Sequence, residues 1–127
     1  MNQFIIQKAV YEKLVNDLNW PVYDKVPQGS SYPYINIGED TSVQWDTDTS
    51  VGLRSTLTLH AWSRQAGRKE VKDMMDAIYN SLHRALLVLD SYNMVTCECV
   101  FQETFLDADG ETRHGVIRFV IIWEGEV

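Results

Sequence analysis

"YINIGEDTSVQWDTDTSVGLRSTLTLHAW", Tyr34 to Trp62, decides how the rest of the chain is read. Ile35, Ile37, Thr41, Val43 and Trp45 fall on odd positions, separated by Asn36, Ser42 and Gln44. After "DTDTS" the alternation resumes with Val51, Leu53, Leu57, Leu59 and Ala61. A period of two puts such side chains on one face of a strand. The stretch therefore predicts a long β-hairpin at about 34–62, turning near Thr47 and Asp48. That turn sets Trp45 opposite Val51, Val43 opposite Leu53, and Ile35 opposite Ala61. Gly38-Glu39 interrupts the pattern and marks a bulge.

On the N-terminal side, Gln3 to Leu18 reads as a helix, with Ile6, Ala9, Val10, Leu14 and Leu18 on one face and Lys8, Glu12, Lys13 and Asn16 opposite. Trp20-Pro21 ends it, because proline disfavours helical geometry in the residue before it. "KVPQGSSYP" (Lys25–Pro33) is a loop punctuated by Pro27, Gly29 and Pro33. On the C-terminal side, Val71, Met74, Met75, Ile78, Leu82, Ala85, Leu86 and Leu89 follow a helical repeat, while Lys69, Lys72, Asp73, Asp76 and Arg84 face away. Two more strands follow, on Val95, Cys97, Cys99 and Phe101 and on Ile117, Phe119, Ile121 and Trp123, joined by a turn at Asp107–Gly110. The order α-β-β-α-β-β predicts an α+β fold: an antiparallel four-stranded sheet with two helices packed on one face, in a single domain spanning 1–127.

Lengths give the hairpin a role. Its first arm, Tyr34 to Trp45, extends about 40 Å at roughly 3.3 Å per residue. A helix from Val71 to Leu89 covers only about 28 Å. The ribbon is thus expected to overhang its helix by on the order of 10 Å, carrying Val43, Trp45, Val51 and Leu53 as an apolar strip. Such a strip invites strand pairing or burial by a partner. These four residues are the candidate interface, covered by a second copy of the chain unless the hairpin folds back onto its own domain. Glu39, Asp40, Asp46 and Asp48 are the acidic residues of the same stretch.

Composition excludes several classes. The 127 residues carry a formal net charge of −7, with 45% apolar and 23% charged side chains. That is ordinary for a globular protein and opposed to grip on nucleic acid, which needs clustered Lys and Arg. Between Lys25 and Arg54 there is no positive charge at all. No apolar run approaches the roughly 20 residues of a membrane span, and "MNQFIIQKAV" lacks the features of a signal peptide, so no membrane partner and a reducing cytoplasm are expected. Cys97 and Cys99 are read as core thiols, since neither has another thiol to pair with and the histidines show no ligand spacing.

No catalytic, metal or cofactor residues are expected. The four hairpin carboxylates sit near a turn where solvent levels them, rather than in the differing environments that acid–base work needs. "DADGET" (Asp107–Thr112) begins like a calcium loop but lacks its later ligands. "SRQAGRKE" (Ser63–Glu70) has no strand–glycine–helix context for phosphate. His60 and His83 read as surface members of sheet and helix, and His114 has no visible partner.

"VPQGSSYPYINIGEDTSVQWDTDTS" (Val26–Ser50), "LTLHAWSR" (Leu57–Arg64), the helix with "LHRAL" (Leu82–Leu86) and "DADGETRHGVIRFVI" (Asp107–Ile121) together resemble the tail-completion or tail-terminator (head–tail joining) proteins of long-tailed bacteriophages and prophages. The resemblance covers nearly the whole chain in order. It implies a structural protein rather than an enzyme: a small α+β subunit forming a ring, typically of six, at the head-proximal end of the virion tail, assembled in the host cytoplasm. Such a ring stops tube polymerisation and meets the tail tube protein on one side and head connector proteins on the other. Six copies would carry about forty negative charges, repelling DNA in the lumen so that it passes without specific binding. The resemblance thus makes Val43, Trp45, Val51 and Leu53 candidates for contact with neighbouring subunits or the tail tube, and Glu39, Asp40, Asp46 and Asp48 candidates for the interface or the lumen. Two other roles stay open: a head-closure or neck component, and a small cytosolic ligand-binding domain or enzyme.

Overall fold

A computed structural model describes residues 1–126. In chain order the elements are helix α1 (Phe4–Asp17), strands β1 (Val22–Tyr23), β2 (Tyr34–Gln44) and β3 (Ser50–Ser63), helix α2 (Lys69–Leu82), and strands β4 (Asn93–Leu106) and β5 (Arg113–Glu126). The sheet has five strands in the order β1-β2-β3-β5-β4, antiparallel except for β1 beside β2. The α+β architecture is as expected, but the sheet is not four-stranded. Val22-Tyr23 adds a fifth strand by pairing with Ile35-Asn36, and two residues are too few to show a period.

The apolar face of α2 (Val71, Met74, Met75, Ile78, Leu82) is buried in one core with Leu57, Leu59, Ile117, Phe119 and Ile121 from the sheet and Ile6, Val10 and Leu14 from α1. Burying such side chains is worth roughly 1.5–3 kcal/mol each, which fixes the odd-numbered face of β3 and β5 beneath the helices. Gly115 lets α2 come close: a methyl group there would lie 2.7 Å from Met75 Sδ. The two helices are also tied by Ser81, whose hydroxyl donates to Asp17 Oδ2 over 2.7 Å.

Three expectations are corrected. The second helix ends at Leu82, not Leu89. Arg84 has a φ of 58° and donates its N–H to the Cys97 carbonyl over 2.7 Å, which turns the chain out of the helix. Residues 85–89 then lie in neither helix nor strand, with Leu87 and Leu89 buried while Leu86 and Val88 point outward at 86% and 92% exposure. The run "ALLVL" satisfies a helical and a strand period equally well, so periodicity does not arbitrate.

The second correction is the register of the hairpin. Ile35 does pair with Ala61, the turn does close at Thr47–Ser50 (Thr47 N–H to the Ser50 carbonyl, 3.0 Å), and the bulge does fall at Gly38-Glu39. Because two bulge residues oppose Thr58 alone, every later pair is displaced by one. Val43 pairs with Arg54 rather than Leu53, and Trp45 lies across from Gly52 rather than Val51. A displacement of one residue transfers each side chain to the other face.

Third, the hairpin is not a free two-armed ribbon. β5 accompanies β3 along its whole length, from Ser50↔Glu126 to Ser63↔Arg113. What outreaches the roughly 21 Å of α2 is the sheet itself, whose 14-residue strands extend about 46 Å.

Candidate functional site

Both helices lie on the odd-numbered side of β3, α2 packing on the strand and α1 on α2 and β1. Its even-numbered residues Arg54, Thr56, Thr58, His60 and Trp62 build the opposite face, which has no helix over it among the described residues. Cross-strand neighbours share a face. Tyr34 and Asn36 therefore join from β2, His114, Arg118 and Ile122 from β5, and Phe101 and Phe105 from β4. A sheet face open to water normally carries polar residues. This one also carries six rings (Tyr34, His60, Trp62, Phe101, Phe105 and His114), alongside the charged Arg54, Glu98, Glu103 and Arg118.

At one end the rings form a ladder with one member from each strand. Tyr23 and Tyr34 meet edge-on with centroids 5.9 Å apart, Tyr34 and Trp62 lie 6.5 Å apart, Trp62 stacks on His114 at 3.7 Å, and His114 lies 4.8 Å from Phe105. Tyr32 flanks the row at 5.2 Å from Tyr34, with the Arg64 guanidinium 4.4 Å over its ring. Trp62 Nε1–H donates to Asn36 Oδ1 over 2.7 Å, which fixes the indole plane. Further along, Arg118 donates to Thr58 Oγ1 over 3.0 Å and lies 4.9 Å over the Phe101 ring.

Within the ladder runs a chain of three titratable groups. His60 Nε2 is 2.8 Å from Glu39 Oε1, and His60 Nδ1 is 2.8 Å from His114 Nε2. When Glu39 accepts from Nε2–H of a neutral His60, Nδ1 must accept in turn, so His114 carries its proton on Nε2. The hydrogen bond from His60 holds the Glu39 carboxyl below its usual range. Burial pushes the His114 imidazole below its ordinary value, and His60 beside it adds to the effect. The expectation that His114 lacks a partner is thus corrected: the partner is 54 residues away in sequence. No group of three or more His, Cys, Asp or Glu side chains suited to a metal ion occurs among the described residues.

The hairpin candidates are dispersed between the two faces. Val43 stands on the open face at 60% exposure, and Trp45 is half-buried there, its indole against Gly52. Val51 is half-buried opposite Gly125. Leu53 lies on the helix side at 8% exposure, beside Trp123, so it is enclosed by its own subunit. Of the acidic set, Glu39 is engaged by His60, and Asp46 accepts from the Gly52 N–H (3.1 Å) and Gln44 Nε2 (2.8 Å), holding the turn together. Asp40 and Asp48 are exposed. Asp109, in the β4–β5 turn, is held down at about 2 by the Thr112 hydroxyl and the backbone N–H groups around it, which is turn structure and not a cation site.

Sequence reasoning missed the open face as a unit. A signal for it existed: Tyr34, His60 and Trp62 occupy the supposedly polar positions of the alternating arms. Aromatic rings there mean that both faces of the sheet carry apolar surface.

Comparison with known proteins agrees with this architecture. Residues 7–124 match the family model described as "Tail completion protein gp17". The tail completion protein gp17 of Bacillus phage SPP1 is 28% identical over 120 residues, covering 89% of this chain and 87% of the relative. Among solved structures, a chain in the virion of a native gene transfer agent particle superposes with a TM-score of 0.88 at 23% identity, covering 96% of each chain. The structure of bacteriophage SPP1 gp17 gives a TM-score of 0.59 at 23% identity, covering 93% of this chain and 88% of the other.

Proposed function

This chain belongs to the tail completion protein gp17 family, structural proteins of the virion tail rather than enzymes, and from that premise we propose that it closes the tail tube as a homo-oligomeric ring of six. The ring ends tail polymerisation and joins the tail to the head. Residues 1–127 act as one α+β unit in this role.

The observation that carries the reading is the family match over residues 7–124. The open aromatic sheet face supports it, because a subunit with apolar surface left in water is built to be covered. Val43 and Trp45 belong to that face and are the hairpin residues expected to touch a neighbouring subunit or the tube protein. With Glu39 and Asp46 engaged internally, Asp40 and Asp48 are the hairpin carboxylates that remain for a lumen through which DNA slides. The net charge of −7 per copy favours such passage by repelling phosphates.

The test is to add the purified protein to polymerising tail-tube protein and measure tube lengths by negative-stain microscopy. Shortened tubes with a ring at one end are the expected outcome. Tubes of unchanged length with bare ends overturn the proposal, and binding to head connector proteins alone would move the protein to the neck.

A further inference from the structure

The molecule carries a second apolar surface, on the far side of its helix layer. Phe4, Tyr11 and Val15 of α1 are 59%, 39% and 50% exposed. At 3.6 residues per turn Tyr11 and Val15 fall within about 20° of Phe4, so the three form one stripe. The buried residues Ile6, Val10 and Leu14 face inward. Val88, at 92% exposure, lies across a shallow groove from Phe4 and widens the stripe. A helix that is apolar on both sides is normally sandwiched between two layers, and α1 has only one.

We infer that α1 of one copy seats its Phe4–Tyr11–Val15 stripe on the open sheet face of the next copy, and that this helix-on-sheet contact is the repeating junction of the ring. The inference rests on the ring reading given above and assigns the surfaces to it. Two unlike apolar faces on one subunit make a heterologous contact, which forms a ring when the rotation between copies closes, whereas a two-fold contact would use one face twice.

Charge favours a second copy as the occupant, and the sheet face has the area for one side of such a contact, more than the roughly 210 Å² footprint of α1 alone. β3, β4 and β5 with 14 residues each and β2 with 11 present a face of roughly 800 Å² at standard rise and spacing. A specific interface takes about 800 Å² from each partner. Lys8 and Glu12, one turn apart on α1, find opposite charges on the sheet face in Glu39 and Arg118, which are close enough to feel each other electrostatically. Helix-on-sheet is also the packing the subunit already uses internally.

The test uses the full chain and two variants of the same sign, Val15→Glu on the stripe and Phe101→Glu on the sheet face, with sedimentation velocity as the readout. Circular dichroism establishes that both fold, and Val15→Ile serves as the conservative control that assembles like the parent. Each Glu variant alone is expected to self-associate more than about tenfold more weakly than the parent. An equimolar mixture should form a 1:1 dimer and stop there, because it contains one intact junction between an unaltered helix and an unaltered sheet. Variants that assemble like the parent, or a mixture that stays monomeric, overturn the surface assignment while leaving the ring standing. A parent chain that never associates, alone or on tail tubes, removes the ring reading and this assignment together.

Discussion

His60 and His114 meet edge to edge between β3 and β5, with Nδ1 of the first 2.8 Å from Nε2 of the second. Only one proton fits between two facing ring nitrogens, so the two rings cannot both be cationic while the contact is kept. Burial already depresses the His114 imidazole below its ordinary 6.5, with Glu39 and Asp107 nearby acting in the opposite sense. As pH falls below about 6.5 the unfolded chain takes up this proton before the folded one does, so stability is lost on acidification through the folded value. Glu39, whose carboxyl is also held low, adds a further loss below its ordinary 4.5. Thermal unfolding measured from pH 7.5 to 5 should show a falling Tm, and His114→Gln should flatten that slope. An unchanged slope in the variant would rule out the pair as its origin.

Gly115 lies directly under α2. A methyl group there meets Met75 Sδ at 2.7 Å and Val71 Cγ2 at 3.3 Å. Gly115→Ala is expected to cost about 1–3 kcal/mol through overpacking. Met75 is flexible enough for Met75→Ala to recover part of that loss in the double variant. Chemical denaturation of the four proteins in the cycle measures the coupling, and strictly additive effects would contradict the contact.

Trp123 is fully buried and donates from Nε1 to Ser55 Oγ over 3.1 Å. Trp123→Ala should cost about 3–5 kcal/mol. Trp123→Phe should cost less, because Ser55 keeps its contact with the Ser42 hydroxyl at 2.9 Å. Urea unfolding midpoints at constant m-value test the order of the three proteins.

Val43 and Leu53 separate interface from core. Val43→Ser, alone or with Trp45→Ser, should leave the monomer folded and weaken assembly, since Val43 stands 60% exposed on the open face. Leu53→Ser should lower the Tm by several degrees, since it removes a buried side chain. Equal effects of both substitutions on assembly with none on stability would restore the single apolar strip that the register denies.

Much of the fold is legible in local pattern, because α-helical and strand periods are short-range properties. Ile6-Val10-Leu14 and Val71-Ile78-Leu82 name the helix faces, the alternation from Tyr34 to Trp62 names the hairpin, and Asp109-Gly110 names the last turn. Ile35↔Ala61 follows from the hairpin alone. The candidate site was legible only as a surplus: Tyr34, His60 and Trp62 at positions where polar residues were expected.

Tertiary structure decided the rest. A single extra residue at Gly38-Glu39 put Val43 and Leu53 on opposite faces, because a shift of one reverses every side chain beyond it. The end of α2 was set by the Arg84 N–H finding the Cys97 carbonyl of β4, a partner no local repeat encodes. His60 and His114 face each other because β3 and β5 are neighbours in the sheet. That adjacency belongs to the strand order and not to either strand's own residues.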